Sequence, residues 1–245
     1  MKGIGLITLS TDPVGEDAFK AEMAGSPVRV FTTRTSYDEA DHQAGGFTPI
    51  PDWPTVLGTL PPGNLIDVIA FSCTSATVAL GNETLVRLLG SARPGLRYTS
   101  PGIASIAMMQ RYKVKRIALL TPYGSKLHHA MPPYFSRYGI EVVAHHSLAR
   151  PLNLVTDEDI ASVPLNRIQT ELESLLAAAR PVDALFVSCA AFSIQRSNLA
   201  QMEVALACPV LASVNSMAWH TLDLLGEHTY RDRMAVELGL LSAGL

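Results

Sequence analysis

Several absences narrow the field before any motif is read. The 245-residue chain has no basic cluster, and 19 Lys and Arg against 22 Asp and Glu leave a formal net charge of −3. Nucleic acid and anionic membrane surfaces are therefore not expected as partners. No apolar run approaches the roughly 20 residues that a spanning helix needs. Met1, Lys2 and Gly3 lead straight into a short apolar strand, without the charged and apolar regions of a secretory leader. No Gly-rich phosphate loop of the usual spacing occurs, so a nucleotide is not expected. Cysteine is scarce: three residues make a poor disulfide framework, and cytoplasmic thiols are the simplest expectation. What remains is 48% hydrophobic and 17% charged, a core-rich globular chain long enough for one large or two modest domains.

Two of the three cysteines share one local context. Asp67 opens an apolar run that ends in Ser72 and Cys73, and Asp183 opens another that ends in Ser188 and Cys189, 116 positions later. Such runs read as buried parallel strands, and the small residues after them suit a tight turn into a helix. A helix N-terminus beside each thiol is expected to favour thiolate over thiol. Cys208, just before Pro209, lacks this setting and reads as a packed thiol.

The repeat extends further. Strands at 3–10 and 116–123 lie 113 apart, as do Thr99 and Ala212, which sit in strands that follow the cysteine segments. Val28 and Glu141 open equivalent second strands, and helical patterns cover 80–89, 103–112, 126–138, 168–179 and 217–225. Landmarks at offsets this similar indicate an internal duplication. Strands alternating with helices imply parallel sheets, with ligands bound at the carboxyl ends of the strands. The expected fold class is α/β, with two similar domains of parallel sheet related by a pseudo-two-fold axis. The first domain is expected over 1–113 plus 214–245, the second over 114–213. Residues 45–62, rich in Pro and Gly, read as a loop or lid.

These residues carry a family resemblance over nearly the whole chain. Phe71-Ser-Cys73-Thr-Ser75, Leu120-Thr-Pro-Tyr123 and Val187-Ser-Cys189 resemble the aspartate/glutamate racemase superfamily, and within it the maleate cis–trans isomerase and arylmalonate decarboxylase branch. Ser10-Thr-Asp12 and the segment from Ser213 to Trp219 resemble ectoine-utilisation proteins of that branch. The resemblance implies a pseudo-dimer with its site between the halves, no cofactor, and a small carboxylate or amino-acid substrate; a homo-oligomer is expected. It implies catalytic roles for Cys73 and Cys189. In racemases of the superfamily one cysteine removes a proton and the other returns one. In the isomerases the first adds to a double bond and the second acts as acid. The decarboxylases carry glycine at the first position, so this chain, with both cysteines, departs from them. It also has Asp12 and Asp157 where the isomerases have asparagines that hold substrate. An ionised acid repels a substrate carboxylate and favours an ammonium group.

Each remaining candidate carries a plainer alternative. Tyr123 either caps the core or, as the resemblance implies, hydrogen-bonds a substrate carboxylate. Thr74 and Ser75 cap a helix, a role compatible with binding an anion at its free N–H groups. Asp12 either meets ligand or starts a turn with Pro13, and Asp157 either meets ligand or caps a helix. Ala190 and Ala191 offer backbone N–H groups beyond Cys189. The pairs His128-His129 and His145-His146 suggest a metal, but adjacent residues point apart, so each pair offers at most one ligand and no metal is expected. The leading expectation is a cofactor-independent isomerase, either a racemase or a cis–trans isomerase. The alternatives are an arylmalonate-type decarboxylase and a non-catalytic metabolite-binding protein.

Overall fold

A computed structural model describes residues 1–37, 51–179 and 181–237. Eight strands form two four-stranded, all-parallel sheets. The first contains β1 (Lys2–Leu9), β2 (Val28–Thr35), β3 (Val68–Phe71) and β4 (Arg97–Thr99), in the order β2-β1-β3-β4. The second contains β5 (Arg116–Thr121), β6 (Glu141–Ser147), β7 (Ala184–Val187) and β8 (Val210–Ala212), in the equivalent order β6-β5-β7-β8. The duplication read from the sequence is thus a duplication of sheet topology.

The cysteine-bearing strands are the buried ones. Every residue of β3 and of β7 is buried, as continuous apolar runs covered on both faces should be. The aspartates that open these segments have a defined task. Asp67 Oδ2 accepts the Gly3 N–H at 2.8 Å, and Asp183 Oδ2 accepts the N–H groups of Lys115 and Arg116 at 2.7 and 2.8 Å. Each repeat therefore uses its aspartate to fix the start of the neighbouring central strand, where the backbone donors have no ladder partner.

In each sheet the chain goes from the central strand to one side and then returns to the other. Crevices form at such switch points, outside the carboxyl ends of the strands. Here they lie beyond β1 and β3 and beyond β5 and β7. The helix Ser213–Leu225 packs on the helix Pro101–Arg111, its counterpart in the other repeat, and on the helix Gly15–Glu22. Trp219 Nε1 donates to the Tyr112 hydroxyl at 3.2 Å, and the two rings meet edge-on at 5.7 Å. Gly102 lets three helices approach closely, since a Cβ there would lie 2.5 Å from the Tyr134 hydroxyl and 2.8 Å from Thr77 Cγ2.

Two expectations need correction. Of residues 45–62, read as a loop or lid, 45–50 lie outside the described residues, but Trp53–Gly58 is a helix. Asp52 caps it, Pro54 sits in its first turn where proline fits, and Trp53 is buried edge-on against Phe71 at 5.1 Å. The turn after Cys189 also differs from its counterpart. Cys73 leads directly into the helix Thr74–Leu80, whereas Cys189 leads into a single 3₁₀ turn, Ala190–Phe192, and the next helix starts only at Arg196. Ser193, left-handed at φ 46°, breaks the helical path.

The Trp219 contact gives a stability prediction. Trp219→Ala should cost about 3–5 kcal/mol in urea unfolding, the range for emptying a large aromatic site. A loss below about 1 kcal/mol would show that the two helices do not depend on this ring.

Candidate active site

The carboxyl ends of β1, β3, β5 and β7 converge on one narrow cleft with a cavity volume of ≈ 20 Å³. Its lining includes all nine residues singled out in the sequence: Asp12, Cys73, Thr74, Ser75, Tyr123, Asp157, Cys189, Ala190 and Ala191. Leu9 and Ser72 complete it. Every one of these side chains is buried, Cys73 at 3% and Cys189 at 8% exposure. Cys208 is also buried but does not line the cleft.

Cys73 occupies the N-cap position of its helix. Its Sγ accepts the Ala76 N–H at 3.4 Å and lies 3.2 Å from Ser75 Oγ. Cys189 has the Ala191 N–H and the Tyr123 hydroxyl beside its sulfur. The Tyr123 hydroxyl is attended by Ser188 and Thr74 as well, and its burial holds it protonated, as a donor. The two cysteine turns are tied together by one buried hydroxyl: Ser213 Oγ accepts from Thr74 Oγ1 and from the Cys189 N–H, both at 3.1 Å.

Two carboxylates also line the cleft. Asp12 Oδ1 accepts the N–H groups of Val14 and Gly15 at 3.0 and 2.8 Å, so it both starts its own turn and lines the cleft. A Cβ at Gly15 would sit 2.1 Å from Asp12 Oδ2, so only glycine leaves room for this carboxylate. Asp157 is the first residue of the helix Asp157–Ala161, and its Oδ2 accepts from Thr11 Oγ1 at 2.6 Å. The helix itself is capped by Thr156 and Asp159 in a reciprocal box, so capping does not account for Asp157.

The expected thiolate stabilisation is overturned by burial. Desolvation pushes Cys73 up to about 12, outweighing the help from Ser75 and the Ala76 N–H, and Asp157 and Asp12 raise it further. Cys189 is pushed well above the ordinary thiol value by burial first and then by Asp157, against the Ala191 N–H and Tyr123. Both sulfurs are therefore neutral thiols at pH 7 in the ligand-free cleft.

Two contributors escaped the sequence reading. Tyr37, two residues past the edge strand β2, reaches Ser75, and its burial raises it well above the ordinary tyrosine value. Nothing in the local pattern marks it. Ser213 enters the sequence reading only as the start of the segment that resembles ectoine-utilisation proteins, and its bridging between repeats depends on tertiary packing. The histidines do meet across their pairs: His128 Nε2 and His145 Nδ1 are 2.7 Å apart, and His128 Nδ1 is 2.8 Å from Thr121 Oγ1. Among the described residues no group of three or more His, Cys, Asp or Glu is arranged to hold a metal. Nor is any described helix long and apolar enough to cross a membrane.

A family model described as arylmalonate decarboxylase matches residues 66–236. The chain belongs to the arylmalonate decarboxylase family. Solved structures share the fold over nearly its whole length. The maleate isomerase Iso from Pseudomonas putida S16 is 19% identical, with 92% of this chain and 94% of that one covered and a TM-score of 0.69. A cysteine-to-serine mutant of the maleate cis–trans isomerase from Nocardia farcinica, with a covalently bound succinylcysteine intermediate, is 18% identical, with 92% and 93% covered and a TM-score of 0.70. A liganded double mutant of arylmalonate decarboxylase, glycine to cysteine and cysteine to serine, is 16% identical, with 92% and 93% covered and a TM-score of 0.73. No curated protein matches the chain. Within the arylmalonate decarboxylase family, then, this chain presents two buried cysteines to one cleft.

The shared influence of Asp157 on both sulfurs gives a titration test. Iodoacetamide alkylation of wild-type Cys73 should keep accelerating past pH 9.0, the ordinary thiol value, because its own lies near 12. Asp157→Asn removes a charge that repels thiolate, so both thiols should titrate lower and alkylate several-fold faster at a given pH below that point. Unchanged profiles would show that Asp157 does not act on the sulfurs.

Proposed function

We propose that the protein is a cofactor-independent isomerase of a small carboxylic acid, with Cys73 and Cys189 as the reacting groups. The observation that carries this reading is the placement of the two thiols, from separate sheets, in the lining of one small buried cleft. Ser75 and Tyr123 set hydroxyls beside them, and Thr74 and Ser75 open a helix whose first N–H groups lie there too, donors suited to a substrate carboxylate and to the negative charge that builds next to it. The reading rests on the chain being two domains, 1–113 with 214–245 and 114–213, each contributing one sulfur.

For a saturated substrate the reaction is racemisation. One sulfur, as thiolate, takes the proton from the carbon next to the carboxylate, and the opposite thiol delivers its own proton to the other face. The carbon is inverted, and the two sulfurs have exchanged protonation states. For an unsaturated diacid the Cys73 thiolate adds to one alkene carbon while the Cys189 thiol protonates the other. Rotation about the resulting single bond and reversal of both steps give the other geometric isomer. Both routes need one thiolate and one thiol.

A family reading as decarboxylase stands beside this one, favoured by the family model. It requires a single proton-delivering cysteine and gives Cys73 no task.

Single substitutions separate these routes. Cys73→Ala and Cys189→Ala should each lower isomerisation by about a thousandfold or more, since general acid–base catalysis alone contributes roughly 10²–10⁴. In D2O each single variant should retain exchange at the substrate carbon for one enantiomer only, if the reaction is racemisation. Full turnover by either variant excludes a two-cysteine isomerase, and retained decarboxylation by Cys73→Ala favours the single-cysteine route.

A further inference from the structure

The cleft is unevenly charged in a way that a plain dicarboxylic acid does not explain. Its hydroxyl donors gather around Cys73 and Tyr123. The same lining holds two carboxylates, Asp12 and Asp157, from separate repeats of the fold. Among the described residues no lining residue is a lysine or arginine. Asp157 Oδ2 accepts from Thr11 Oγ1. Asp12 is not fully served: Oδ1 takes two backbone N–H groups, while among the described residues Oδ2 has no hydrogen-bond partner, although the residue is only 2% exposed. Arg34, beside this turn, spends its guanidinium on the carbonyls of Leu9 and Asp12 and on Glu16. A buried carboxylate oxygen without a donor is costly, and structures rarely retain one without a use.

We propose, on the basis of the isomerase reading above, that Asp12 and Asp157 form a subsite for a protonated nitrogen, so that the substrate is an amino acid or a similar zwitterion and not a plain diacid. The carboxylate of the substrate faces Thr74, Ser75 and Tyr123, and its ammonium group faces Asp12 Oδ2 and Asp157. A second carboxylate in that position would meet two like charges in a water-poor space. An ammonium group supplies the donor that Asp12 Oδ2 lacks.

The arrangement also links recognition to reactivity. The same two carboxylates oppose thiolate formation at Cys73 and Cys189. A cation seated between them offsets that opposition, so the sulfurs ionise more readily with the proper substrate present than in the empty cleft. A neutral or anionic ligand leaves the opposition in place.

Matched ligand pairs that differ only in the amine test this directly: aspartate against succinate, glutamate against glutarate, alanine against propionate, each amino acid as both enantiomers. Binding is read by calorimetry and by protection of Cys73 and Cys189 from iodoacetamide, with turnover measured separately. Binding is also read on Cys73→Ala, so a failure of the isomerase reading and a failure of the ammonium subsite give different results. The amine-bearing member of at least one pair should bind wild type about tenfold or more tightly than its partner. Asp12→Asn and Asp157→Asn keep an acceptor oxygen for their present partners and should fold as wild type by circular dichroism. Each should reduce that preference by about tenfold. The proposal is overturned if the diacids bind as well as or better than the amino acids, if no amino acid in the panel binds at about 50 mM, or if neither substitution alters the ratio. Amine-selective binding without any turnover would sustain the subsite while rejecting the isomerase.

Discussion

Ser213 Oγ receives two hydrogen bonds, one from the Thr74 hydroxyl and one from the Cys189 backbone. Through that atom the turn that carries the first cysteine is fixed against the turn that carries the second. The constraint matters because the sulfurs arise on different sheets, and no ladder hydrogen bond joins those sheets. A shift of about 1 Å between two reacting groups can cost about a hundredfold in rate. Ser213 opens the helix Ser213–Leu225, which is held in place by its packing on Pro101–Arg111 and by the Trp219–Tyr112 contact. The precision of the cleft thus rests on the helix pair between the repeats as much as on the residues that line it.

Burial and charge then set the state of the cleft. Enclosing two thiols with two carboxylates makes thiolate expensive, and a helix start beside Cys73 does not reverse this. That is a poor arrangement for a free-standing nucleophile. On the proposed isomerase reading it suits a pair of acids and bases that stay quiet until a ligand completes the charge balance. The same enclosure keeps Tyr123 and Tyr37 protonated and able to donate.

Much of this was legible in the chain because the duplication repeats local signals. The buried runs ending in Cys73 and Cys189, and the central strands that begin at Lys2 and Arg116, are short-range patterns that a sheet position dictates. Most residues that line the cleft follow from those strands having carboxyl ends at a switch point, while Asp157 comes from a helix start that only the family resemblance marked. What escaped notice depends on distant parts of the chain meeting. Tyr37 arrives from the end of an edge strand, and Ser213 acquires its role only when the halves dock. Asp67 and Asp183 were visible as a repeated feature, but their task, receiving the backbone donors of a neighbouring strand, needs the sheet register. Trp53-Pro54 lay in a stretch rich in turn-forming residues, and the buried ring won over that composition. The thiol ionisation was misread because a helix terminus is visible in sequence while the depth of burial is not.

The most direct measurement is the structure of the protein with an amino-acid ligand bound in the cleft, obtained with Cys189→Ser to arrest turnover. The account predicts the carbon next to the carboxylate between the Cys73 sulfur and residue 189, with the carboxylate on Thr74, Ser75 and Tyr123. A ligand seated with both positions on the same side of that carbon, or bound outside the cleft altogether, would contradict it.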